Sequence, residues 1–432
     1  MKTLPSLYLL IASTIAWAQP SKVTKKAMDL STKIESKVIE WRHDIHQNPE
    51  LSNREFNTAK KVADHLRNLG IEVQEGVAKT GVVGILKGGK PGPVIGLRAD
   101  MDALPVTERV DIPWASKATS TYNRLKVGVM HACGHDTHVA ILMATAEVLA
   151  SMKSDLRGTV KFVFQPAEEG APVGEEGGAS LMVKEGVLKN PDLDIMLGLH
   201  INSQTPVGKI TYKPGGTMAA ADRWVMKIKG AQTHGSAPWA GIDPIVTAAQ
   251  IINGIQTIIS RQTELTKEAA VISAGLIRGG VRNNIIPEEV EMIGTIRTLD
   301  VAMQNKLHAD FHRVAKNIGE SMGAEVDLQI TKGVPVTYND PALTARLVPY
   351  IEKAVGAENV SLRKAVTGAE DFSFYAQEVP SLFFFIGGCP EGKDPKTAAP
   401  HHTPDFYVDD AGMVPGIKAM VSATLGYMYN PG

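Results

Sequence analysis

Three apolar runs in this chain each lead into side chains able to hold a metal ion. Val94-Ile-Gly-Leu97 precedes Asp100 and Asp102, Thr159-Val-Lys-Phe-Val-Phe164 precedes Glu168 and Glu169, and Ile195-Met-Leu-Gly-Leu199 precedes His200. Short apolar runs bounded by turn signals read as buried strands. In open α/β sheets, ligands collect in the crevice beyond the carboxyl ends of the strands. The spacing therefore predicts an α/β fold around a mainly parallel mixed sheet, with one site at one end of it. Helical spacing of apolar residues over 25–70, stopped by Gly70, and an Ala-, Leu- and Met-rich helix from His138 to Ser151 supply the flanking layers.

A chain of 432 residues exceeds one ordinary core, so two domains are expected. The pattern changes at Gly215-Gly216. An alternating run Trp224–Lys229 is followed by a helix over Pro244–Gln262, strands over Ala270–Ile277 and Glu289–Leu299, a further helix, and a strand over Ala324–Ile330. Strand, helix, two strands, helix, strand is the ferredoxin-like α+β order. The expected layout is a metal-binding domain over 19–215, an inserted ferredoxin-like domain over 216–331, and a return to the first domain over 332–432 through a helix at Ala342–Val355. The N-terminus has a leader's form: Lys2, an apolar run from Leu4 to Trp17, and small residues in Ala16-Trp17-Ala18. Residues 1–18 are thus expected to be a cleaved signal peptide and the mature protein to be exported, periplasmic or secreted, with no membrane span after cleavage. A net charge of -1, with no long basic run, excludes an electrostatic case for nucleic acid.

The densest cluster is His131-Ala-Cys133-Gly-His135-Asp136-Thr-His138, and His401-His402 lies far downstream. Thiolate, imidazole and carboxylate together suit zinc or manganese, with cobalt or nickel also compatible, and the number of donors is enough for two divalent ions. The other cysteine, Cys389 in Gly387-Gly-Cys-Pro390, reads as a buried or strand-end free thiol rather than a disulfide partner of Cys133.

These residues carry a resemblance. Gly96-Leu-Arg-Ala-Asp-Met-Asp-Ala-Leu-Pro105, Met130-His-Ala-Cys-Gly-His-Asp-Thr-His138, Phe164-Gln-Pro-Ala-Glu-Glu-Gly170, Ala220-Ala-Asp-Arg223, Asn284-Ile-Ile-Pro287, Gly294-Thr-Ile-Arg-Thr298, Gly368-Ala-Glu-Asp-Phe372 and His402-Thr-Pro404 occur in this order. From about Val38 onward the chain resembles the dinuclear metallopeptidases and amidohydrolases that include aminoacylases, hippurate hydrolases and indole-acetyl-amino-acid hydrolases. The resemblance implies that Cys133, His135, Glu169, His200 and His402 are metal ligands, with Cys133 bridging two ions. It further implies that Asp102 orients a ligand, Glu168 is the general base, and His234 is an oxyanion donor acting from a partner subunit or through domain closure. Asn284 and Arg297 become the substrate grips. His401 stands where an apolar residue is usual and is expected either to add a polar contact or to face solvent. His131 and His138 read as donors behind the ligands, Asp136 as a buttress to a ligand imidazole, His43, His46 and His65 as structural, and Glu175-Glu176 as surface charges.

The implied substrate is an N-acyl amino acid with an aromatic or hydrophobic acyl group, or a short peptide if the chain is instead a carboxypeptidase or dipeptidase. Two further readings stay open: a binding protein that has lost catalysis, and a cysteine hydrolase using Cys133 with His131 or His135. A homodimer or homotetramer through the inserted domain is expected.

Overall fold

The computed structural model describes residues 21–431, so the leader expected over 1–18 lies outside the described residues. The large sheet runs, edge to edge, through Glu72–Val77, Gly81–Lys87, Arg157–Gln165, Lys90–Asp100, Ile195–Pro206, Ser381–Cys389, Ile210–Tyr212 and Val360–Leu362. The central strands, from Arg157–Gln165 to Ser381–Cys389, are parallel, and antiparallel pairs border them on both sides. Parallel strands buried on both faces read as near-continuous apolar runs, which is how Arg157–Gln165 and Ser381–Cys389 are buried.

On one face lie His135–Ala150 and Met413–Tyr429, helices buried almost all round. The Gly178–Lys184 and Ser373–Ala376 helices pack on the other face, in a core that includes Phe372, Tyr375 and Phe383. Continuous helicity over 25–70 does not hold: the helices are Ser21–Lys33, Glu35–Gln47 and Phe56–Asn68. Pro49 lacks the N–H that a continuing helix needs, and Asn53 sits at φ +60, so residues 48–55 form a loop. That loop carries Ser52 and Glu55 to the site.

The second sheet runs Ala270–Gly279, Glu289–Thr298, Ala220–Lys229 and Glu325–Val334, every neighbouring pair antiparallel. Its helices are Pro244–Thr257 and Val301–Ser321, whose first turns are capped by Asp243 and Asp300. This is the expected ferredoxin-like order, with its own core in which Trp224 meets Phe311 edge-on at 5.2 Å between ring centroids. The Ala270–Gly279 strand is an open edge, and Ile277 on it is 53% exposed. Among the described residues no helix is long and apolar enough to cross a membrane.

Candidate active site

The strand ends deliver what their order promised. Asp100 closes Lys90–Asp100, Glu168 and Glu169 follow Arg157–Gln165, and His200 lies within Ile195–Pro206 opposite Phe385 of Ser381–Cys389. Glu168, Glu169 and His200 line a cavity of about 400 Å³ together with Cys133, His401 and His402, and Asp100 lies buried outside its lining. Cys133 stands one residue before Gly134, whose φ of +92 turns the chain into the His135–Ala150 helix. A Cβ on Gly134 would meet Ile201 at 2.4 Å, so this turn needs glycine twice over.

Each ligating candidate is held from behind. His135 donates from Nδ1 to the Asp102 carbonyl at 2.8 Å, and His200 from Nδ1 to the Ile201 carbonyl at 2.6 Å. Both imidazoles therefore turn Nε2 towards the other candidate ligands. The Nε2 atom of His200 is 3.4 Å from Cys133 Sγ. His402 Nε2 lies 3.3 Å from the same sulfur and 3.1 Å from Glu169 Oε1. His402 reaches this position at φ +63, a left-handed backbone that a non-glycine residue adopts at a cost. Ala167, before the glutamates, is also left-handed at φ +52, and Glu55 Oε1 accepts its N–H at 2.9 Å.

Asp102 anchors the glutamate turn. Its two carboxylate oxygens accept the backbone N–H groups of Glu168 at 3.1 Å and Glu169 at 3.0 Å, and the Ser52 hydroxyl donates to it at 2.7 Å. Behind Asp100, Arg98 is completely buried and donates to Asp100 at 2.6 Å, to Glu370 and Asp371 at 3.0 Å each, and to Gln165 at 2.9 Å.

The electrostatics ask for cations. Burial pushes the Cys133 thiol well up, and Glu169, Glu168 and Asp100 push it further. Burial also raises the Glu168 carboxyl, reinforced by Glu370 and Glu169. His135 is pushed up to about 10 because Asp100 and Asp102 outweigh its burial. Its Nε2 is buried with no hydrogen-bond partner. Ligand atoms of His135, Glu168 and Glu169 lie within 4.8 Å of one another, as do those of Cys133, Glu169 and His402, and those of Cys133, His200 and His401. Overlapping triads of sulfur, nitrogen and oxygen fit two divalent ions, each of which would hold a ligand ionised in place of the proton it now needs.

Two expectations, for His131 and Asp136, need correction. His138 does stand behind the ligands: Nδ1 contacts Asp100 at 2.6 Å and Nε2 accepts the Ile201 N–H at 2.8 Å, which uses both nitrogens. His131, expected to do the same, has no hydrogen-bond partner on either nitrogen, and burial pulls it down to about 4. Asp136 does not bond a ligand imidazole; its partners are Arg42 at 3.1 Å and His46 at 3.0 Å, a pairing set by the tight turn at Gly134. His401 faces inward: Nε2 accepts the Ser203 N–H at 3.3 Å, which leaves its proton on Nδ1, 3.6 Å from Cys133 Sγ. Glu175 pairs with Arg54 and Lys79, and Glu176 with Lys184, all outside the cavity.

His234, Asn284 and Arg297 do not line the cavity. His234 and Asn284 are exposed neighbours at the Thr233–His234 and Ile285–Ile286 strand pair, where Gly235 N–H donates to the Asn284 carbonyl at 2.8 Å. Arg297 lies on Glu289–Thr298 and bonds Thr295 at 3.1 Å. Sequence reasoning missed Ser52, Glu55, Arg98 and Arg363; the Gly368–Phe372 motif was the signal for Arg98's partners.

A thiol, imidazoles and carboxylates gathered at strand ends in a mixed α/β sheet define a metal-dependent hydrolase. Residues 96–425 match the model of peptidase family M20/M25/M40. The chain is 41% identical over 379 residues to thermostable carboxypeptidase 2 of Saccharolobus solfataricus, which covers 87% of this chain and 92% of that one. It is 36% identical over 349 residues to hippurate hydrolase of Campylobacter jejuni, covering 80% and 86%. Its fold superposes with TM-score 0.76 and 32% identity on a dinuclear metal-binding peptidase of the same family from Bacillus subtilis, over 92% and 99% of the chains. The chain belongs to this peptidase family and is a metal-dependent hydrolase of amide or peptide bonds.

Proposed function

We propose that the protein cleaves N-acyl amino acids to a carboxylic acid and a free amino acid, with Glu168 as general base. The observation that carries this is Glu168 itself, a carboxylate raised by burial at the mouth of the ligand cluster and lying 3.9 Å from His135. Cys133, His135, Glu169, His200 and His402 would hold the ions. His402 is preferred over His401 because the His401 proton points at the sulfur. Two divalent ions, zinc or manganese first, would polarise the amide carbonyl and lower the pKa of the attacking water. Glu168 would accept a proton from the attacking water at its carboxylate and return it to the departing nitrogen. Asp102 holds the turn that aims Glu168, and the Cys133 thiol, pushed up in the protein alone, is poorly set to be a nucleophile.

His234 would supply the oxyanion donor, and Asn284 and Arg297 would grip substrate, from a partner copy or after closure. The open Ala270–Gly279 edge with exposed Ile277 supports pairing of two copies there, checked by light scattering of wild type and Ile277→Glu: an unchanged mass would overturn it. Export is checked by sequencing the mature N-terminus, which should begin at Gln19.

A carboxypeptidase reading of the same site is favoured by the 41% identity to a protein of that name. The deciding assay is release of amino acid from hippurate, other N-acyl amino acids and dipeptides by wild type and Glu168→Gln, with and without chelator. Turnover should require metal and fall at least about a thousandfold in the variant, the combined scale of lost proton transfer and misplaced water. Chelator-resistant turnover would overturn the mechanism, and cleavage of dipeptides alone would replace acylase with peptidase.

A further inference from the structure

One cation in the cavity has no anion. Arg363 follows the Val360–Leu362 strand, its backbone N–H bound to the Tyr212 carbonyl at 2.9 Å, and its side chain lines the same cavity as Cys133, Glu168 and His200. Its guanidinium carbon lies 3.6 Å from the centre of the Phe385 ring, and Phe385 is the strand neighbour of His200. Nη1 is buried without a hydrogen-bond partner, and the side chain's one polar contact is from Nε to the Lys364 carbonyl at 3.4 Å. The fully buried arginines among the described residues are saturated: Arg42 pairs with Asp136 and Asp410, and Arg98 with Asp100, Glu370 and Asp371.

A half-buried guanidinium with one nitrogen buried and unpaired is costly unless an anion arrives to face it. The cavity's own acids cannot serve. Glu370 and Asp371 belong to Arg98, while Glu168 and Glu169 belong to the ligand cluster. Burial with no facing anion pulls Arg363 down to about 10, whereas Arg98 is pushed up because its carboxylates outweigh burial. Stacking on a ring restrains the guanidinium while leaving its N–H edge available for a planar, bidentate partner. A carboxylate is such a partner.

We infer that Arg363 is a substrate-binding residue that receives a carboxylate of the substrate inside the catalytic cavity, which rests on the reading of the substrate as an N-acyl amino acid. It would act in addition to Arg297, which lies outside that cavity. The carboxylate could belong to the leaving amino acid or to a dicarboxylic acyl group, and the substrates below separate these sources.

The test compares hippurate, its neutral amide N-benzoylglycinamide, and N-succinylglycinamide, whose carboxylate sits on the acyl side, on wild type, Arg363→Met and Arg363→Lys. The expected result is a loss of about 100-fold in kcat/KM for hippurate in Arg363→Met, mainly through KM, with N-benzoylglycinamide unchanged. Arg363→Lys should recover part of it. If N-succinylglycinamide instead shows the loss, the carboxylate lies on the acyl side. Equal losses on charged and neutral substrates would mark a structural role and overturn the inference. So would turnover of both hippurate and N-succinylglycinamide unaffected by Arg363→Met, which leaves the proposed function standing. If wild type cleaves none of the three, the proposed function fails, and calorimetric binding of hippurate to Glu168→Gln with and without Arg363→Met decides: equal affinities, or no binding to either, overturn the role of Arg363.

Discussion

Asp102→Asn is the most informative single change, because it keeps the shape of the side chain and alters only its acceptors. The native carboxylate, buried but held below its usual range by His135, Ser52 and the Glu169 N–H, serves four groups: the N–H of Glu168, the N–H of Glu169, the Ser52 hydroxyl and, at 3.3 Å, His135 Nδ1. An amide has one acceptor oxygen. Whichever way it is placed, its NH₂ faces a backbone N–H, and at least the bond from Glu168 or from Glu169 is lost. A bond to a charged acceptor contributes about 1.5–3 kcal/mol, so unfolding free energy should fall by about 1.5 kcal/mol or more, read from urea denaturation. The same loss loosens the turn that carries Glu168 and Glu169. Changing a residue that orients metal ligands costs roughly 10- to 100-fold in metal affinity or activity, so kcat should fall by that factor with KM near wild type. A variant with wild-type kcat and wild-type urea midpoint would refute the idea that this carboxylate holds the turn.

Two other variants probe the frame around the site. Burial opposes charge on His46, but Asp136 and Glu108 outweigh it and raise it to about 9. Its stabilisation is therefore complete below the unfolded value near 6.5 and lost as pH rises through about 9. The stability gap between wild type and His46→Gln should be about 3 kcal/mol at pH 6 and shrink towards pH 10; a gap independent of pH would contradict this. Arg98→Met strips the partner from three buried carboxylates and should cost about 3–5 kcal/mol, with an unchanged urea midpoint as the opposing result.

How much of this was legible in the sequence follows from the kind of signal each feature leaves. The central strands were readable because burial on both faces makes them largely apolar, as over residues 195–199. The candidate ligands at their ends were readable because ligands collect just beyond the carboxyl ends of such strands. The ferredoxin-like insert showed itself by alternation, since one face of its sheet is open, as in Ala220–Lys229. The loop over 48–55 did not show, because its role lies in Ser52 reaching Asp102 and Glu55 reaching Ala167, contacts between residues 50 and 112 positions apart.

Arg363 was invisible for a sharper reason. As a residue type it is a surface cation, and the sequence around it, Ser361-Leu-Arg-Lys-Ala365, has no motif. What distinguishes it is something missing, a carboxylate, and an absent partner can be recognised only after the folded chain has paired Glu370 and Asp371 with Arg98. The same logic separates His401 from His402. Adjacent in sequence and identical in chemistry, they differ because Ser203 fixes the proton on one ring and a left-handed backbone turns the other towards Glu169 and Cys133. Residue type proposes a ligand; the bond on its far nitrogen decides whether it can be one.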